Sequence, residues 1–278
     1  MRAGNCKNNA LLKKLSRARW FAILSLFSST VSADDSCKHL VSTGNPEYPP
    51  YLWRDPGDET RLIGANADLM QLLAKEVGVP IDTKYGGPWA RVQEEIKSGR
   101  ADIIAGAFFT LPRLDYMDYV YPAFRDTRSV IWTNNRTNLN YKKWSDLIGL
   151  RGVTVINNSF GESFDRFAQE SLNISTVSSL EQALKMLQMA RAQYLIYEED
   201  PARAYAAKLN ITDLKIMATA ISNESLYLTI SHKSACNSSD MRARLAKAMY
   251  KLTRQNVMQK LVETNIQLWR QQTARQPS

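Results

Sequence analysis

Three groups of residues in this 278-residue chain have types and spacings suited to chemistry. The first is a lone arginine, Arg113, in the stretch FFTLPRLDYMDYVYPAF, residues 108–124, among phenylalanines, tyrosines and prolines. A guanidinium in apolar company is costly to desolvate unless an anion meets it. Either Asp115 or Asp118 is that anion, or a visiting ligand is. The second group is Glu198, Glu199 and Asp200, which follow the apolar run YLIY. The C-terminal end of such a strand is where α/β proteins place ligands, while Asp200 followed by Pro201 reads as a helix cap and first helical residue. The third group pairs Cys37 with His39 and His232 with Cys236. These are ligands of zinc type, but neither spacing is a zinc pattern. In an exported chain a disulfide between Cys37 and Cys236 is favoured over a metal site.

Export is written in the first residues. Arg2, Lys7, Lys13, Lys14, Arg17 and Arg19 form a basic segment without an acid, followed by WFAILSLF and then SSTVSA. Val31 and Ala33 sit at the small-residue positions of a signal-peptide cleavage site, predicted between Ala33 and Asp34. As a membrane span the apolar run is too short, because about 20 apolar residues are needed. Removing residues 1–33 takes away six basic residues and no acid. Lys+Arg falls from 36 to 30 against 27 Asp+Glu, so the net charge falls from +9 to +3. The remaining charges are interspersed, which argues against a nucleic-acid partner. With no G-x-S-x-G elbow and no well-placed histidine, hydrolase chemistry also lacks its parts.

The elements that must position these groups alternate. HLVSTG (39–44) reads as a strand. NADLMQLLAKEVG follows as a helix with Leu69, Leu72, Leu73 and Val77 on one face, started by Asn66 or Asp68 and ended by Gly78. IDTKY is a strand, and PWARVQEEIKSG is a helix with a Trp89/Val92/Ile96 stripe. ADIIAGAF is a buried strand. This order predicts parallel strands joined by right-handed crossovers. After SVIWTN the pattern restarts. GVTVI (152–156) opens into NNSFGES and a helix carrying Phe164 and Phe167. A helix capped by Ser178 with Glu181 follows, then QYLIY, a helix at Asp200-Pro201, and LYLTIS. From Ser239 onward Met241, Leu245, Met249 and Leu252 face inward from helices.

Seven pieces in this order carry a resemblance: YPPY, GANADLMQLLAKEVG, W...I.SGRADIIAG, T..R....YVYPAF, DLIGLRGVTV, QYLIYEEDPARAY and LYLTISHK. The chain resembles bacterial extracellular solute-binding proteins of the polar amino-acid type, the periplasmic receptors of ABC importers. The resemblance implies an α/β, two-lobed periplasmic-binding-protein fold of type II. Each lobe would be a mixed β-sheet flanked by helices, the two joined by two hinge strands. It places lobe 1 at 34–125 and 223–278 and lobe 2 at 126–222, with Cys37 and Cys236 in the same lobe.

It also implies roles. Arg113, beyond the strand end at Gly106, would grip a ligand carboxylate with its guanidinium fork. Tyr48 and Trp89 would wall the pocket. Asn45 stands where relatives that bind basic amino acids have Asp, which argues against a lysine or arginine ligand. Phe108 stands where Ser or Thr would donate to the carboxylate, a departure from the family's pattern. Ser159 and Phe160, the latter through its backbone amide, would meet the same carboxylate at a helix N-terminus. Glu198, with Glu199 as the alternative register, would hold the ligand's ammonium. The implied protein is a periplasmic monomer that binds a small solute for an inner-membrane ABC permease and needs no cofactor. Cyclohexadienyl dehydratases, which resemble these receptors, are the enzymatic alternative, with Glu198 as proton donor. A sensor component is the other alternative.

Overall fold

The computed structural model describes residues 37–274. The predicted signal peptide and its cleavage site lie outside the described residues.

A parallel unit begins the chain. β1 (Leu40–Thr43) lies between β5 (Ile81–Thr83) and β6 (Ile103–Phe108), parallel to both. The crossovers are α1 (Ala65–Val77) and α2 (Trp89–Ser98). Leu69, Leu73 and Val77 of α1 and Trp89, Val92 and Ile96 of α2 are buried, as the 3.6-residue spacing requires. Both helices end at a left-handed glycine, Gly78 and Gly99. A small antiparallel sheet sits between β1 and α1: β2 (Glu47–Tyr48), β3 (Leu52–Arg54) and β4 (Leu62–Ile63). Its strands are too short to announce themselves as alternating runs.

A 3-10 turn, Leu111–Asp115, leads into β7 (Met117–Asn134). The second unit then follows as β8 (Arg151–Val155), α3 (Glu162–Ser171), β9 (Asn173–Val177), α4 (Leu180–Gln188), β10 (Tyr194–Glu198) and α5 (Glu199–Lys208). The chain returns along β11 (Leu214–Ser231) and closes with α6 (Ser239–Arg254) and α7 (Val257–Ala274). The large sheet runs β5-β1-β6-β11-β7-β10-β8-β9. β7 and β11, 18 residues each and antiparallel, are its spine. The C-terminal part of β11, Leu226–Ile230, pairs with β6 of the first lobe. The C-terminal part of β7, Ser129–Trp132, pairs with β10 of the second. LYLTIS, a short strand in the sequence, is thus the end of a long one, and SVIWTN is the end of the other. Pro122 and the polar run 125–128, with Arg125, Asp126 and Arg128 charged, break the apolar pattern where the chain passes between the lobes.

Three helix starts differ from expectation. α1 begins at Ala65 after Gly64, and Asn66 lies inside it, freeing its side chain for another role. Ser179 rather than Ser178 caps α4, accepting from the Gln182 amide at 3.1 Å. Asp200 is not the cap of α5. That helix starts at Glu199, and the Asp200 carboxylate accepts from the Tyr51 hydroxyl at 2.7 Å.

Cys37 and Cys236 form a disulfide, Cα–Cα 4.8 Å, across 199 residues. The nearby histidines have other partners: His39 meets Asp82 at 3.0 Å and His232 meets Asp118 at 3.3 Å. The bond ties the chain entering β1 to the turn before α6. A Cys37→Ser/Cys236→Ser variant is expected to lose roughly 2–5 kcal/mol. In a thermal melt that is a fall of roughly 4–20 °C.

Candidate functional site

Arg113 is placed by the end of β6. The strand stops at Phe108, and the 3-10 turn folds back so that Arg113 Nη1 donates to the Phe108 carbonyl at 2.9 Å. The guanidinium lies over the Trp89 ring, 5.3 Å from its centroid, and Arg113 is only 6% exposed. Asp118 does not reach it, being taken by His232 at 3.3 Å and Asn237 at 3.2 Å. Asp115 makes no ion pair with it either. Among the described residues no carboxylate forms a salt bridge with Arg113, so a buried cation is held by one carbonyl and one ring.

It faces a cavity of about 30 Å3 between the lobes. From the first lobe come Asn45, Tyr48, Trp89, Gly106, Phe108 and Arg113; from the second come Ser159 and Glu198. All eight were singled out in the sequence. Gly106 has φ +120°, and a Cβ there would stand 2.8 Å from Asn66 Nδ2, so the backbone must stay bare for the wall to close. Phe108 contributes its ring to the lining and its carbonyl to Arg113 and to the Tyr119 hydroxyl, 2.7 Å away.

Phe160 is the exception. Its ring is buried in the second lobe's own core against Phe164, and it does not line the cavity. Its backbone amide, the expected anion contact, donates to Asp165 Oδ1 at 2.8 Å. Ser159 Oγ donates to the other oxygen of the same carboxylate. Asp165, in the first turn of α3, therefore fills the loop's anion site with a carboxylate of the chain itself. Burial pushes its carboxyl up, while the Ser159 and Phe160 hydrogen bonds and the Arg113 charge pull it down.

Glu198 ends β10 and is 6% exposed. Burial raises its pKa to about 7, against a weaker downward pull from its own backbone amide and from Arg113. Its Oε2 has no hydrogen-bond partner. Glu199 points elsewhere, to Arg128 and Arg203, each at 2.7 Å. Two polar lining residues were not among the site residues expected from the sequence, Asn66 and Asn158. Asn66 donates Nδ2 to the Ala105 carbonyl, leaving its Oδ1 buried without a partner. Asn158 Nδ2 is likewise buried and unpartnered. The sequence offered no clear signal for either, since Asn66 reads as a helix start and Asn158 as part of a polar loop. Each such atom costs about 1–3 kcal/mol unless something satisfies it, and four of them, Tyr48 Oη, Asn66 Oδ1, Asn158 Nδ2 and Glu198 Oε2, line this one cavity.

Over residues 40–267 the chain matches the model of bacterial extracellular solute-binding proteins, family 3. It is a member of that family. Its members are binding proteins. No curated protein matches the chain in sequence. Solved structures share its fold. One is a mutant of ArgBP from T. maritima, at 18% identity and TM-score 0.69, covering 84% of this chain and 96% of that one. Another is the amino acid ABC transporter substrate-binding protein AbpA from Streptococcus pneumoniae bound to L-arginine, at 18% identity and TM-score 0.69, covering 84% and 97%. A third is a histidine kinase sensor domain with similarity to periplasmic binding proteins, at 18% identity and TM-score 0.70, covering 82% and 95%.

In this solute-binding protein the lobes also touch around the cavity. Asn45 Nδ2 donates to the Tyr197 hydroxyl at 3.0 Å, and Trp89 Nε1 donates to the Asn157 carbonyl at 3.1 Å. Glu47 accepts from the Leu180 amide at 2.7 Å, capping α4 from the opposite lobe. Burial pushes the Glu47 carboxyl up, and the Leu180 bond opposes it. With Tyr51 on Asp200 at 2.7 Å, these bonds hold the cleft in a closed arrangement.

Proposed function

We propose that this solute-binding protein is a periplasmic receptor that encloses a small carboxylate-bearing solute, an amino acid or close relative, and delivers it to an inner-membrane ABC permease. Residues 1–33 are its export signal. Lobe 1 comprises 34–125 and 223–278, and lobe 2 comprises 126–222. The observation that carries the reading is Arg113: a buried guanidinium with no carboxylate of its own, in the same interlobe cavity as a buried acid with a free oxygen. A guanidinium fork matches a carboxylate in two parallel hydrogen bonds, and Glu198 matches an ammonium. A zwitterion supplies both groups.

Closure follows from the same contacts. In an open form Arg113 and Glu198 are exposed half-sites, one per lobe. A ligand that bridges them gains contacts only when the lobes meet, and so shifts the population to the closed state. The motion is assigned to the two adjacent crossings of β7 and β11, near Arg125–Thr127 and Ser222–Glu224. Thr127 there faces Glu224, and the register shifts on either side.

A thermal-shift series over amino acids, aromatic acids and small organic anions tests the reading. At 100 times its Kd, a ligand of the native state alone stabilises by about 2.7 kcal/mol. The melting temperature should then rise by roughly 5–10 °C. A series in which no α-amino acid or carboxylate moves the transition at millimolar concentration would contradict the proposal.

A further inference from the structure

The cavity holds one cation, Arg113, and one acid, Glu198; the rest of its lining is amide, hydroxyl or apolar. A bound zwitterion uses both charges. A third charge, on the ligand's side chain, would be buried without a counter-ion, which strongly disfavours it. The remaining wall includes Leu52, Ala105, Ala107, Phe108 and Leu226, suited to a small apolar group. The cavity's 30 Å3 is room for two or three waters at the roughly 10–15 Å3 that one needs, so in this closed arrangement space favours the most compact ligands.

Besides Glu198 Oε2 and the Tyr48 hydroxyl, two buried polar atoms of the lining have no partner. Asn66 Nδ2 is fixed on the Ala105 carbonyl, which forces its Oδ1, an acceptor, to stay buried and unpartnered. Asn66 as a whole is 1% exposed. From the second lobe, Asn158 Nδ2 is a donor in the same condition. Two of that loop's donors are already taken, because the Phe160 amide and the Ser159 hydroxyl are bound to Asp165.

Building on the receptor reading, we propose that the solute is a compact amino acid with a small uncharged side chain, and that Asn158 and Asn66 are specificity-determining contacts for it. Asn158 Nδ2 donates to the carboxylate beside Arg113, replacing the loop amide that Asp165 has taken. Asn66 Oδ1 accepts from the ammonium that Glu198 also meets. A basic or acidic amino acid finds neither the space nor a counter-charge.

Calorimetry on the full mature chain at pH 8 tests this, with glycine, L-alanine, L-serine, L-arginine and L-glutamate as probes. The small neutral amino acids are expected to bind at least 100-fold more tightly than arginine or glutamate. Asn158→Ala is expected to weaken L-alanine 10- to 100-fold. Asn158→Asp should weaken it further, because it sets a like charge against the carboxylate. Melting of the unliganded variants should stay within a few degrees of the parent, since the Asn158 amide nitrogen is bonded to nothing in the protein. Arginine or glutamate binding as tightly as alanine would overturn the inference and leave the receptor reading standing. So would an Asn158→Ala affinity equal to the parent's. Failure of all five probes, together with failure of the wider thermal-shift series, would overturn both.

Discussion

Replacing Arg113 with alanine should weaken solute binding by roughly 30-fold to several thousandfold, about 2–5 kcal/mol. The size follows from burial. A carboxylate drawn into a closed cleft loses its water, and the guanidinium fork is the charged donor placed to replace it. Lysine should recover only part of the loss, because a point charge cannot reproduce two parallel bonds. The unliganded protein should tolerate the change. Its Phe108 carbonyl keeps the Tyr119 hydroxyl at 2.7 Å, and the cost of a desolvated cation disappears with the side chain. Calorimetry and a thermal melt on the same sample separate the two effects. A loss under tenfold would reject the role assigned to Arg113.

Replacing Glu198 with glutamine should trade affinity for stability. In the unliganded fold burial raises this carboxyl from 4.5 to about 7. A raised folded pKa means that the folded state holds the proton more tightly than the unfolded one. The stability this gives is fully present below pH 4.5 and is lost as the pH climbs through 7. Above pH 7 the unliganded protein therefore carries a penalty of up to about 3 kcal/mol. Glu198→Gln removes it, so the variant should melt several degrees higher than the parent at pH 8 and alike at pH 4.5. Binding goes the other way. An ammonium needs the ionised acid, so the parent's affinity should fall as the pH drops below 7 and protons should be released on binding there. The variant should bind roughly 100-fold more weakly at pH 8, as expected for truncating a buried charge-assisted contact, and with little pH dependence. Equal melting of the two proteins at pH 8, or a parent affinity that is flat from pH 5 to 8, would contradict this account.

Much of the fold was legible because its helices carry clean 3.6-residue stripes and glycine stops, as α1 and α2 do. The two long strands were not. β7 contains Pro122 and the polar run 125–128, three of whose four residues are charged, which interrupts the apolar pattern although the backbone continues. Pairing between β7 and β11 is set by residues about 100 apart, and nothing local encodes it. The three-stranded sheet of β2, β3 and β4 was missed for its brevity.

The site was legible where chemistry is conspicuous. A lone arginine among aromatics and an acid at a strand's end stand out in any reading, and both lie in one cavity. Phe160 shows the limit. A loop before a helix offers free amides, but whether a ligand or a nearby side chain takes them depends on one carboxylate in the first turn. Asp165, five residues on, reaches back to the Phe160 amide, and an acid at that position is ordinary helix chemistry in the sequence. Asn66 was hidden for the converse reason. It looks like a helix cap, and only the carbonyl of Ala105, 39 residues away, turns its oxygen inward.

The most direct test is a crystal structure of the protein with the amino acid that raises its melting temperature most. Both carboxylate oxygens should lie about 2.7–3.0 Å from the Arg113 nitrogens, within the interlobe cavity. An Arg113 fork paired instead with Asp165 or another acid of the chain, with the ligand's carboxylate elsewhere, would contradict the account.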